Sequence, residues 1–86
     1  MKVHLASILD EYTGGKRTVE GEGRSLREVL AGLEARYPGL RFRIVDEQDA
    51  IRPHIRIFVG GSVVTSLGAE VGRGDEVHIL AALSGG

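Results

Sequence analysis

Apolar and polar residues alternate from the start of the chain. Val3, Leu5 and Leu9 share one parity, and Ala6 and Ile8 share the other. Successive side chains of a strand point to opposite faces, so Lys2 to Leu9 reads as a first strand with both faces partly covered. Thr13-Gly14-Gly15-Lys16 reads as a turn, and Arg17 to Glu20 as a short second strand forming a hairpin with the first. Gly21-Glu22-Gly23 ends it. The period then changes. Leu26, Val29, Leu30 and Leu33 recur at helical spacing and make one apolar stripe. Ser25-Leu26-Arg27-Glu28 is a capping box, in which the Ser25 hydroxyl accepts from the Glu28 amide while the Glu28 carboxylate reaches back. Arg27, Glu34 and Arg36 are left for water. Gly32 inside a helix costs about 1 kcal/mol relative to Ala, which points to close backbone packing there. Tyr37-Pro38-Gly39 stops the helix, because Pro38 disfavours a helical conformation at Tyr37.

Alternation returns afterwards. Arg41 to Val45 reads as a half-buried strand with Phe42 and Ile44 inward, and Asp46 to Pro53 as a polar connection. His54 to Val59 reads as a strand with Ile55, Ile57 and Val59 inward and Arg56 and Phe58 outward. Gly60-Gly61 turns the chain, and Val63-Val64 starts a short return strand. Gly72-Arg73-Gly74-Asp75 is a further turn. Glu76 to Leu80 is the last strand, with Val77 and Ile79 inward and His78 and Leu80 outward. One helix stripe must bury against one sheet face, which gives a two-layer α+β domain. The expected division is a body over residues 1–80 and a flexible tail over 81–86.

With 86 residues the chain is one domain, too small to house a deep catalytic pocket together with a cofactor. Eleven Lys and Arg against 12 Asp and Glu give a formal net charge of −1. That balance argues against a general nucleic-acid binder, which needs a basic stripe to displace counterions. Cysteine is absent. Disulfides, zinc ribbons, iron–sulfur ligation and thiol catalysis are thereby excluded, and a cytoplasmic address is favoured. His4 and Asp10 interrupt the apolar stretch behind Lys2, so no signal peptide is expected. The longest apolar run, Ile79 to Leu83, falls far short of a membrane span of about 20 residues.

The candidate chemistry lies at the chain end, Leu83-Ser84-Gly85-Gly86. A terminal carboxylate has a pKa of about 3.3–3.7 and is ionised at neutral pH. It can attack the α-phosphorus of ATP and become an acyl-adenylate whose carbonyl sits beside an α-carbon without a side chain. Leu83, Ser84 and Gly85 suit threading through a narrow groove, with Leu83 the last apolar anchor. A second feature is the outward set Arg56, Phe58, His78 and Leu80, an apolar spot edged by positive charge. The sheet has one helix to cover it, so its other face meets water or a partner. His4, His54 and His78 fit no local metal-ligand spacing, and no metal site is expected from them. Thr13-Gly14-Gly15-Lys16 lacks the first glycine of a phosphate loop, since Asp10 holds that position, and Gly21-Glu22-Gly23 lacks the third glycine of a dinucleotide fingerprint, since Leu26 holds it. No catalytic set emerges.

Gly74-Asp75-Glu76-Val77, leading through a final strand to Gly85-Gly86, resembles the MoaD/ThiS family of ubiquitin-like sulfur carriers. The stretches Tyr12 to Arg17, Leu26 to Tyr37, and Arg52-Pro53-His54-Ile55 with Phe58-Val59 resemble the longer CysO-type members, of the cysteine-biosynthetic branch. The resemblance implies a β-grasp fold: a mixed sheet of four to five strands on one main helix, with the first and last strands side by side in the centre. It implies that Gly86 is adenylated by an E1-like enzyme and converted to a thiocarboxylate. The protein would bind no cofactor itself, and ATP would be used by the activating partner. The sulfur acceptor would sit on a cysteine synthase-like enzyme or, next in order, a molybdopterin synthase-like enzyme. Ser84 stands where the family often carries Ala or another small apolar residue. Two other readings share these residues: a ubiquitin-like modifier joined to lysines through Gly86, and a non-covalent subunit of a biosynthetic enzyme.

Overall fold

A computed structural model describes residues 1–82. Leu83, Ser84, Gly85 and Gly86, the expected tail-threading and activation residues, lie outside the described residues. Five strands form one sheet: β1 (Lys2–Leu5), β2 (Thr18–Glu20), β3 (Ile55–Val59), β4 (Ser62–Val64) and β5 (Val77–Ala81), in the order β2-β1-β5-β3-β4. β1 pairs parallel with β5, and the other pairings are antiparallel. The first and last strands are therefore central neighbours, and the sheet is mixed, as the β-grasp arrangement requires. Helix α2 (Leu26–Arg36) buries Leu26, Val29, Leu30 and Leu33. Beneath it Val3, Leu5, Val19, Ile55, Ile57, Val59, Val77 and Ile79 fill the other half of the core. The Ser25 hydroxyl accepts from the Glu28 amide at 3.2 Å, while the Glu28 carboxylate accepts from the amide of Arg24 at 2.9 Å. The box thus closes one residue earlier than its usual reciprocal bond.

Two expected strands take other forms. β1 ends at Leu5, not Leu9: Ser7–Leu9 is a 3₁₀ turn, and Asp10–Thr13 is a single helical turn, α1. Leu9 is buried all the same, and Ile8 is exposed. The helical turn places Leu9 and buried Thr13 on one side, because residues four apart share a helix face. β1 and β2 still pair antiparallel, and the Leu5 amide donates to the Arg17 carbonyl at 2.8 Å, so Arg17 takes part in the ladder just outside β2.

Arg41 to Val45, expected as a strand, instead forms most of a second short helix, α3 (Leu40–Ile44), with Val45 as the extended residue that follows it. Leu40 and Ile44, four apart, are fully buried, and Phe42 points outward at 53 % exposure. What decides the conformation is a cap supplied by α2. Glu34 accepts from the amides of Gly39 at 2.8 Å and Arg41 at 2.9 Å. Gly39, at φ 95°, adopts the left-handed conformation that lets the chain reverse into α3. Those amide bonds, Gly39's first, hold the Glu34 carboxyl below its usual range.

Gly60-Gly61, with φ of 58° and 86°, joins β3 to β4 through a two-residue loop with both central residues at positive φ, the type that matches strand twist. Gly32 corrects another expectation. It is exposed, and a Cβ there would meet nothing within 4 Å. No close packing requires it, so Gly32→Ala removes only its entropic cost. The variant is expected to be more stable by about 0.5–1 kcal/mol, read as a raised urea midpoint at unchanged slope.

Candidate functional site

Both helices of more than one turn lie on the same side of the sheet, and the strand register fixes what the other side presents. His4 faces Thr18 on β2 and His78 on β5; His78 faces Phe58 on β3; Phe58 faces Val63 on β4. Thr18, His4, His78, Phe58 and Val63 thus form one row across all five strands. The next row toward the chain end pairs Arg56 with Leu80. The structure therefore puts Arg56, Phe58, His78 and Leu80 together, as two adjacent cross-strand pairs, on the face that no helix covers among the described residues.

The apolar part of this face is Phe58, half-buried, with Leu80 at 42 % and Val63 at 55 % exposure. Val63 completes the patch and is absent from the set expected above. The signal for it was the parity of a three-residue strand, too short to fix a face without its partner. Arg56 does not point freely outward: its guanidinium donates to the carbonyls of Pro53 at 3.0 Å and Ile55 at 3.1 Å. Its charge is held at the edge of the patch by the loop entering β3.

The polar half is built by β1 and the start of β5. The His4 and His78 rings stack, centroids 4.3 Å apart and 13° from parallel. His4 Nε2 lies 2.5 Å from Glu76 Oε1, and His4 Nδ1 lies 3.5 Å from Thr18 Oγ1. The hydrogen bond from His4 is the largest influence on Glu76 and holds its carboxyl below the usual range; His4, Lys2 and His78 add smaller charge effects.

The last strand is positioned by its turn. The Asp75 carboxylate accepts from the Gly72 amide at 2.8 Å, and the Gly60 amide donates to the Glu76 carbonyl at 3.0 Å. Gly74-Asp75-Glu76 thus launches β5 into the centre of the sheet. Ala81 is still strand, paired with Ile55, and the Ala82 amide donates to the His54 carbonyl at 2.7 Å. The paired segment extends beyond residue 80, the expected boundary of the body. Among the described residues no helix is long and apolar enough to cross a membrane.

The mixed sheet with central parallel β1 and β5, backed by α2, defines a ubiquitin-like β-grasp protein. The ThiS family model matches residues 3–86, and the chain belongs to that family. The chain is 34 % identical to the sulfur carrier protein CysO of Mycobacterium tuberculosis over 89 aligned residues, which cover 98 % of this chain and 96 % of that protein. A chain of the Amycolatopsis orientalis BexX/CysO complex superposes with a TM-score of 0.88 at 34 % identity, covering 99 % of this chain and 98 % of that one. The small archaeal modifier protein 1 of Methanosarcina acetivorans superposes with a TM-score of 0.77 at 28 % identity, covering 99 % and 94 %. The CysO-type resemblance seen in the sequence thus agrees with near-full-length likeness in both sequence and fold.

Proposed function

We propose that the protein is a sulfur carrier that holds sulfur as a thiocarboxylate on Gly86. One observation carries this reading: the near-full-length likeness to a sulfur carrier protein, within a family match that runs through Gly86. The chemistry follows from the chain end. A Gly86 carboxylate oxygen attacks the α-phosphorus of ATP held by an E1-like enzyme, and pyrophosphate leaves. A sulfur nucleophile then attacks the acyl-adenylate carbonyl, a carbon–sulfur bond forms, and AMP leaves. Two glycines keep side chains away from both steps. The protein supplies no catalytic group and no cofactor of its own; ATP belongs to the activating partner.

The face carrying Phe58, Leu80 and Val63 is the surface we assign to partner enzymes, with Arg56 and His78 at its polar border. The acceptor favoured is a phosphoserine-derived intermediate on a pyridoxal-phosphate cysteine synthase-like enzyme, with a molybdopterin precursor next. Incubation with a cognate E1-like enzyme, ATP and a sulfur donor is expected to raise the intact mass by the difference between sulfur and oxygen, located to Gly86 by fragmentation. An unchanged mass under turnover conditions would sink the reading. A second reading, conjugation to protein lysines, is favoured by the likeness to a small archaeal modifier protein. Conjugate ladders in extract that disappear without Gly86 would support it.

A further inference from the structure

His4 and Glu76 come from opposite ends of the sequence, yet with His78 they meet on the uncovered face. Each offers a ligand-type atom, and these atoms all lie within 4.8 Å of one another. We propose that His4, Glu76 and His78 form a binding site for a divalent transition-metal ion, zinc or cobalt in the first instance. This inference does not depend on sulfur carriage; of the three side chains only His78 also borders the face assigned to partner enzymes.

The donor set selects the ion class. Two imidazoles and one carboxylate suit zinc and its neighbours, whereas calcium takes six to eight oxygen ligands. The scaffold is rigid where it matters. His4 and His78 are register partners on two hydrogen-bonded central strands, and Glu76 precedes His78 by two residues on the same face. Neighbouring strands are about 4.8 Å apart. A tetrahedral metal about 2.0–2.1 Å from each nitrogen and oxygen sets those atoms about 3.3 Å apart. A pair at the 4.8 Å limit therefore closes by about 1.5 Å, while His4 Nε2 and Glu76 Oε1, now 2.5 Å apart, open by somewhat less than an ångström, through tilting of the two rings out of their stack. Both histidines are half-buried and Glu76 is exposed, which leaves room for that tilt. It also leaves one side open to solvent. Three protein ligands with an open fourth position is an arrangement zinc accepts, with water completing the tetrahedron.

The hydrogen-bond partners already present suit such a site. His4 Nε2 and Glu76 Oε1 are hydrogen-bonded at 2.5 Å. Coordination through Nε2 replaces that hydrogen bond and requires the neutral ring to carry its proton on Nδ1. Thr18 Oγ1, at 3.5 Å, is the acceptor then nearest to it. A metal-bound histidine commonly donates its second N–H to an oxygen in this way, which fixes tautomer and ring orientation. Lys2, next to His4 on the same face, opposes the incoming charge, and Glu20, its register partner on β2, offsets it.

The test uses the full chain without an affinity tag. Titration with cobalt(II) is expected to give the visible absorption of a four-coordinate ion, saturating at one ion per chain, and zinc is expected to displace it. In ring-nitrogen NMR spectra His4 and His78 should shift with zinc, and His54 should not. His4→Ala and His78→Ala should each weaken zinc binding by about tenfold or more, since loss of even an outer-shell partner costs that much. Both side chains are on the solvent side of the sheet, so circular dichroism should show both variants folded. Their separate requirement also distinguishes this site from one made by the N-terminal peptide and His4 alone. Absence of a saturable cobalt spectrum, or binding that survives His78→Ala, would overturn the proposal.

Discussion

Removing Gly85 and Gly86 is expected to abolish adenylation and thiocarboxylate formation completely while leaving the fold intact. The two halves of that expectation have different origins. Loss of activation follows from chemistry: the truncated chain would end in Ser84, whose carboxylate lies two residues short of its reach and carries a side chain beside the reacting carbonyl. Retention of the fold follows from packing. Among the described residues the core runs from Val3 to Ile79, and the sheet pairing reaches Ala81. Pyrophosphate release with the activating enzyme measures the first half, and urea unfolding measures the second. Binding of the partner by the truncated chain separates two ideas. If binding and the partner's activity both persist without the glycines, the protein is a non-covalent subunit, and the carrier reading fails. If binding persists while sulfur delivery stops, the face carrying Phe58 docks and the tail reacts. A single substitution, Gly86→Ala, adds one methyl at the reacting end and should fall between these extremes.

The parts of the fold legible in the sequence are those where one period dominates a long enough run. Leu26, Val29, Leu30 and Leu33 leave a helix as the sole economical solution, and Ile55, Ile57 and Val59 do the same for a strand. Leu40 to Val45 is different. Arg-Phe-Arg-Ile alternates as a strand would, but Leu40 and Ile44 are also one helical turn apart, and five residues cannot decide between the periods. The decision comes from Glu34, whose carboxylate caps α3 through the amides of Gly39 and Arg41. A contact of that kind is tertiary and invisible to local pattern. Lys2 to Leu9 fails for a related reason: Leu9 is buried, but in the geometry of a turn. The outward residues Arg56, Phe58, His78 and Leu80 were readable because parity alone places them. The meeting of His4 with His78 and Glu76 was not, because it depends on parallel pairing of the two ends of the chain. No local spacing encodes that.

Two adjacent residues of β5 offer a sharp test of how stability and recognition are divided. Ile79 points into the core with no exposed surface, between β1 and β3, whereas Leu80 faces solvent on the patch. Ile79→Ala removes three methyl or methylene groups from a site walled in by two paired strands, which leaves little room to collapse. A loss of about 2–5 kcal/mol is expected. At roughly 0.05–0.15 kcal/mol per residue, the stability of an 86-residue domain is about 4–13 kcal/mol. A single side chain thus removes a large share of the total, and the urea midpoint should fall by about 1–2.5 M at a slope of about 2 kcal/mol per M. Leu80→Glu should behave oppositely. Its register partner is the cation Arg56 and its side chain is exposed, so the new carboxylate stays solvated beside a positive charge, and stability should change by less than about 1 kcal/mol. Yet it puts a charge into the apolar patch, and affinity for the activating enzyme should fall by about tenfold or more, the cost of losing one anchor residue. Equal destabilisation by both substitutions would mean that the face opposite α2 is not free, and that Leu80 is covered by something the docking proposal leaves out. Unchanged affinity in Leu80→Glu would move the recognition surface elsewhere, whatever becomes of the chain end.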